Sequence, residues 1–91
     1  MDREKAEITA LRALAYLAGN EKNLDRMMRE TGIDPRDLAA TGDSGEILAG
    51  ILDFLLGHEE MLIDFCEHEK MDDQTPARAR RLLPGAPMED Y

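Results

Sequence analysis

Residues 47–56 read Ile47-Leu48-Ala49-Gly50-Ile51-Leu52-Asp53-Phe54-Leu55-Leu56. A helix built from this run carries apolar side chains around nearly its whole circumference, with Asp53 as its one charge, and such a helix is stable only when neighbours cover it on all sides. Ten residues reach across half a bilayer at most, so the run predicts the buried centre of a soluble domain and no membrane span.

The flanking segments read as what covers that centre. Asp43-Ser44-Gly45 is a turn containing a cap for the central helix. Upstream, over 4–18, Ile8, Leu11, Ala15 and Ala18 recur at three and four, with Ala10, Leu14 and Leu17 beside them; Lys5, Thr9, Arg12 and Tyr16 fall opposite. The periodicity predicts a helix whose Ile8–Ala18 stripe faces inward. Gly19 closes it, and Asn20 caps a second helix with the stripe Leu24, Met27, Met28 and Thr31, ended by Gly32. Asp34-Pro35 is an N-cap followed by a first-turn proline, opening a short third helix through Leu38 and Ala39 to Gly42.

Downstream of the centre, Gly57 and His58 break the run. Met61, Leu62, Phe65 and Cys66 then form a stripe opposite Glu60, Asp64, Glu67 and His68. Asp72 is read as the cap of a last helix with Pro76 in its first turn and Ala79, Leu82 and Leu83 inward, before Pro84-Gly85 end it. Residues 84–91 are expected to be a loose tail. The expected fold is all-α, a compact single domain spanning 1–91 with five or six short helices. Its expected core is Leu14, Leu17, Leu24, Met28, Ile51, Leu52, Leu55, Leu62 and Phe65.

Composition agrees. The 91 residues hold no Val or Trp and only nine β-branched side chains, against twelve Leu, eleven Ala and six Met, which excludes a sheet protein. A chain of this size buries only about 60% of its unfolded surface, which leaves little room for buried polar machinery. The lone Cys66 staples nothing and builds no Cys-rich zinc site, and the start of the chain is amphipathic, without the apolar core of a signal peptide. A reducing cytoplasm is the expected location.

Shifting the chain by 38 residues lays Leu14-Ala15-Tyr16-Leu17-Ala18-Gly19-Asn20-Glu21 on Leu52-Asp53-Phe54-Leu55-Leu56-Gly57-His58-Glu59, and Leu24, Asp34 and Ala39 on Leu62, Asp72 and Ala77. Seven of the 28 pairs from 14–41 are identical, and breaks, caps and core positions coincide. The pattern predicts an internal repeat of two three-helix units, 4–41 and 42–83, which pack on one another because neither closes a core alone.

The net charge of −9 is concentrated: 1–42 carry −1, 43–73 carry −9 and 74–91 carry +1. A nucleic-acid partner needs the opposite field. The expected partner-binding residues are the acids Glu59, Glu60, Asp64, Glu67, Asp72 and Asp73, with Asp53 and Glu69 adding to that field, and the basic edge Arg78, Arg80 and Arg81. The expected partner is a protein with a basic face, a homodimer in which the arginines meet the acids being the other possibility. Two segments, 24–38 and 62–77, have the layout of a helix-turn-helix, but Asp34, Asp37, Asp72 and Asp73 at their reading ends oppose DNA.

Catalysis is not expected, and neither is a cofactor. There is no Gly-rich phosphate loop and no nucleophile elbow, since the glycines stand singly at helix ends. Cys66 sits in an apolar stripe as a small hydrophobe, and His58 reads as a joint residue. The one row with the residue types for a metal or small ligand is Glu60, Asp64 and His68, and a solvated acidic face is the better reading of it.

The stretches Ala10-Leu11-Arg12-Ala13-Leu14-Ala15-Tyr16-Leu17-Ala18, Thr31-Gly32-Ile33-Asp34-Pro35, Ile51-Leu52-Asp53-Phe54-Leu55-Leu56 and Ala77-Arg78-Ala79-Arg80-Arg81-Leu82-Leu83-Pro84-Gly85 resemble the domain of unknown function 3572 family of small alphaproteobacterial proteins. The resemblance implies an all-helical cytoplasmic protein and assigns no functional residue. It departs at Lys70 and Asp73, where Gly and Pro stand at the matching positions of the first half, so a less sharp second turn is expected.

Overall fold

The computed structural model describes residues 1–37 and 45–85, and among them it contains five α-helices and no strand. They are α1 (Arg3–Ala18), α2 (Glu21–Thr31), α3 (Gly45–Leu56), α4 (Glu59–Glu69) and α5 (Thr75–Arg81). The third short helix expected through Leu38 and Ala39, the Asp43-Ser44 turn and the tail 86–91 lie outside the described residues.

Local signals set the helix ends. The Asp2 carboxylate accepts the Lys5 N–H at 2.9 Å to open α1, and the Asn20 side chain accepts the Asn23 N–H at 3.2 Å to open α2. Gly32 closes α2 in the left-handed conformation, φ 76°, with its N–H on the Met28 carbonyl.

The decisive run is the centre of the domain. Leu48, Ala49, Ile51, Leu52, Phe54 and Leu55 of α3 are buried, and α3 packs against each of the other four helices. Leu17 and Phe65 are buried around it, as the sequence predicts. Leu14, Leu24, Met28 and Leu62, expected in the core, are half-buried at its margin, whereas Ala6, Ala10, Ala13, Met27, Cys66, Ala79 and Leu83 complete it.

Helix α1 is turned relative to the sequence expectation. Ile8 and Leu11 face solvent, 46% and 48% exposed, and Ala15 and Ala18 are exposed with them. The buried face is Ala6, Thr9, Ala10, Ala13 and Leu17, and it lies against α3 and α5. Small side chains let helix axes approach closely, so the alanine face is where two neighbours pack at once. The one polar group there is satisfied locally, since the Thr9 hydroxyl donates to the Lys5 carbonyl at 2.9 Å.

Two turns have the same construction. The Asp34 carboxylate accepts the Arg36 N–H at 2.9 Å and its carbonyl accepts the Asp37 N–H at 2.9 Å. The Asp72 carboxylate accepts the Gln74 N–H at 2.7 Å and its carbonyl accepts the Thr75 N–H at 2.9 Å. Lys70, 38 residues after Gly32, adopts the same left-handed conformation at φ 55°, so the second turn is as tight as the first despite lacking its glycine. Asp72 therefore caps this turn, while Gln74 occupies the N-cap position of α5 and Pro76 lies in its first turn. Leu82, expected inward, is 39% exposed.

Candidate interaction surface

Because α4 buries Phe65 and Cys66, helical geometry turns Glu59, Glu60, Ile63 and Glu67 outward. Ile63 is 40% exposed among the three glutamates, and Asp72 and Asp73 extend the acidic field from the next turn. Four acids of the first half have basic neighbours: Glu7 pairs with Arg3, Asp25 with Arg29, Glu30 with Arg26 and Asp34 with Arg36. Among the described residues no Lys or Arg stands within ion-pair distance of Glu59, Glu60, Glu67, Asp72 or Asp73. Glu59 and Glu60 also complement the N-terminal dipole of α4.

Asp64 and His68, on the flank of α4, are drawn toward α1. The Tyr16 hydroxyl donates to Asp64 Oδ2 at 2.5 Å, and its ring meets Phe65 edge-on at 5.5 Å and His68 at 6.0 Å. Tyr16 thus bridges α1 and α4 instead of lying on a solvent face. Burial first, then the hydrogen bond to Asp64 and its charge, push the phenol pKa up to about 12. Asp64 is consequently engaged with a phenol, and His68 Nε2 lies 3.8 Å from Glu69. The Glu60/Asp64/His68 row does not converge: among the described residues no three His, Cys, Asp or Glu side chains form a group that could hold a metal ion.

The largest correction concerns the basic edge. Arg78 and Arg81 are exposed, but Arg80 is buried. Its Nε donates to Asp53 Oδ1 at 2.6 Å, and its other nitrogens donate to the carbonyls of Leu83, Pro84 and Gly85. A guanidinium has five donors, and a buried one is tolerable only when such acceptors surround it. Arg80 and Asp53 therefore leave the candidate surface, and Pro84 and Gly85, expected in the loose tail, have their carbonyls held. The sequence carried a signal for this pair: one carboxylate, Asp53, in an apolar helix, and one arginine spaced with Pro76 and Leu83 on a single helical face.

Cys66 is buried, its Sγ pointing at the Asp72 carbonyl at 3.8 Å. Burial, then Asp73 and Asp72, push its thiol pKa up, which favours the unreactive protonated form. His58 is a joint between three helices: Nδ1–H donates to the Phe54 carbonyl at 2.7 Å, Nε2 lies 3.2 Å from Glu30, and the ring stacks on Phe54 at 4.3 Å. An open cleft of about 450 Å³ beside it runs between α2 and α4, with Tyr16, Asn23, Arg26 and Glu60 among its walls.

The profile of a family described as protein of unknown function (DUF3572) matches residues 3–86. The chain belongs to that family. The match to DUF3572 includes all five helices and the carbonyls that Arg80 holds. No curated protein and no solved structure matches this DUF3572 chain. No helix among its described residues is long and apolar enough to cross a membrane.

Proposed function

We propose that this DUF3572 protein is a non-catalytic interaction module, whose α4 face and following turn receive a basic, amphipathic segment of a partner protein. The observation that carries the reading is that five carboxylates of α4 and the turn after it gather around exposed Ile63 with no described Lys or Arg within ion-pair distance of any of them. Unpaired like charges repel at low salt, and a basic partner relieves that repulsion while Ile63 supplies an apolar anchor. Glu59, Glu60, Glu67, Asp72 and Asp73 form the recognition field. Arg78 and Arg81 remain exposed on α5, and Asp64 is held by Tyr16. On this reading the protein works in the cytoplasm, where the free thiol of Cys66 stays reduced.

The two halves, 4–41 and 42–83, derive on this reading from one duplicated three-helix unit. Supporting it, α2 and α4 begin and end 38 residues apart, as do the left-handed Gly32 and Lys70 and the turns at Asp34 and Asp72. The acidic character belongs to the second copy alone, which marks that half for recognition.

The test is affinity capture with the whole chain at low and high salt, with identification of what is retained, repeated with the Glu60→Lys/Glu67→Lys variant. A basic protein retained below about 0.2 M salt, where the Debye length is near 8 Å, and lost in the variant is the expected result. Capture indifferent to both salt and charge reversal would overturn the reading.

A further inference from the structure

The turned α1 leaves an apolar stripe on the outside of the domain, opposite the face that packs on α3 and α5. Ile8 and Leu11 form its centre, with the exposed Ala15 and Ala18 continuing it toward Gly19. This spacing of three and four is a heptad seam: Ile8 and Ala15 take one core position, and Glu4, Leu11 and Ala18 the other. A helix already buried along its alanine face gains nothing for its own fold from a second apolar stripe.

We propose that this stripe is the seam of a parallel, two-stranded α1 pair between two copies of the chain. A β-branched residue at the first core position and leucine at the second favour two parallel strands. The flanks fix the orientation. In a parallel pair the residue before the first core position faces the partner residue five further along, which sets Glu7 of each copy opposite Arg12 of the other. In an antiparallel pair the Lys5 and Arg12 flanks face each other, and like charges meet. The location fits the charge distribution as well: residues 1–42 carry −1 and 43–73 carry −9, so α1 is where two acidic copies approach with least repulsion. Glu4 meets its own copy at one end of the seam, a local cost that its position in the first helical turn partly offsets.

The seam is short. It falls below the roughly 1,200 Å² of a standard interface, so the dimer dissociates in about the 10 µM to 1 mM range. It is independent of the α4 face, and each dimer presents two such faces.

Sedimentation equilibrium of the full chain from about 10 µM to about 1 mM tests the proposal, read as the dimer dissociation constant. Leu11→Asn weakens association at least about tenfold, and Glu4→Gln strengthens it. Glu7→Arg and Arg12→Glu each weaken it several-fold, and the two together restore it, a recovery that a nonspecific apolar contact does not show. In a Cys66→Ala background, Ala18→Cys cross-links to itself under mild oxidation, which antiparallel helices forbid. Glu4, Leu11, Arg12 and Ala18 are exposed, Glu7 is half-buried and Cys66 is buried, and circular dichroism verifies that each variant is folded. A chain monomeric at the highest concentration overturns the proposal, as does a dimer indifferent to Leu11→Asn, a double charge swap without recovery, or Ala18→Cys that fails to cross-link. Glu60→Lys/Glu67→Lys does not weaken the dimer, which separates this result from the partner experiment.

Discussion

Arg80 of α5 and Asp53 of α3, 27 residues apart in sequence, are joined at 2.6 Å, and the same guanidinium gathers the carbonyls of Leu83, Pro84 and Gly85. The arginine side chain is 10% exposed and the aspartate 54%, so the two partners are unequal. Removing the cation empties a buried position and takes the donor from the carbonyls of Leu83, Pro84 and Gly85, whereas removing the anion leaves the cation with three carbonyls. Arg80→Ala is expected to cost about 2 to 4 kcal/mol, from its charge-assisted hydrogen bonds and the packing of its buried stem, and Asp53→Asn about 1 to 2 kcal/mol. Arg80→Lys recovers only part of the loss, because an ammonium cannot fan out to all four acceptors. Urea denaturation of the three variants measures this; equal losses for Arg80→Ala and Asp53→Asn would mean that the ion pair alone holds the corner.

Tyr16 gives a pH signature. Its phenol ionises near 12 in the folded chain against 10.0 ordinarily, so the folded state keeps a proton that the unfolded chain has released between those values. Stability from this group is therefore complete below pH 10 and is lost as pH rises toward 12. In a Tyr91→Phe background, ultraviolet absorbance follows Tyr16 alone. Asp64→Ala should lower its pKa only partly, since burial is the larger cause. A phenol titrating at its ordinary value in the native protein would dissolve the α1–α4 bridge.

The turned α1 predicts an inversion of what its leucines suggest. Leu52→Ala in the buried centre should cost about 2 to 5 kcal/mol. At low protein concentration, Ile8→Ala and Leu11→Ala should each cost less than about 0.5 kcal/mol. Ala10→Leu, which adds apolar volume where α1 meets its neighbours, should instead destabilise by about 1 to 3 kcal/mol. Thermal or chemical melts of the set decide it; a large loss in Leu11→Ala would return the Ile8–Ala18 stripe to the interior.

The paired left-handed positions predict opposite signs for opposite substitutions. A Cβ at Gly32 would meet nothing within 4 Å, so Gly32→Ala is penalised only by its φ of +76°, about 1 to 2 kcal/mol. Lys70 already bears that strain, and Lys70→Gly should stabilise by up to about 1 kcal/mol. Loss of stability in Lys70→Gly would show that the lysine side chain, and not its backbone, holds the second turn.

The sequence was most legible where the determining physics is local. The cap at Asn20, the glycine ending α2 and the all-round apolar run of α3 depend on neighbours within a turn, and the structure has each where it was expected. The outward carboxylates of α4 follow in the same way, because burying Phe65 and Cys66 fixes what faces away. The placement of Asp64 was not legible, since it depends on a tyrosine 48 residues earlier.

By itself, then, the sequence determined that the chain is helical, where α2 starts and stops, and which helix is central, because periodicity, caps and φ preferences act within one helical turn. Only the tertiary structure decided which of two apolar stripes of α1 turns inward and which arginine of three is buried. Both depend on what other helices bring to the contact. Alanines admit close neighbours where leucines do not, and a guanidinium leaves water where Asp53 of another helix meets the carbonyls that follow α5.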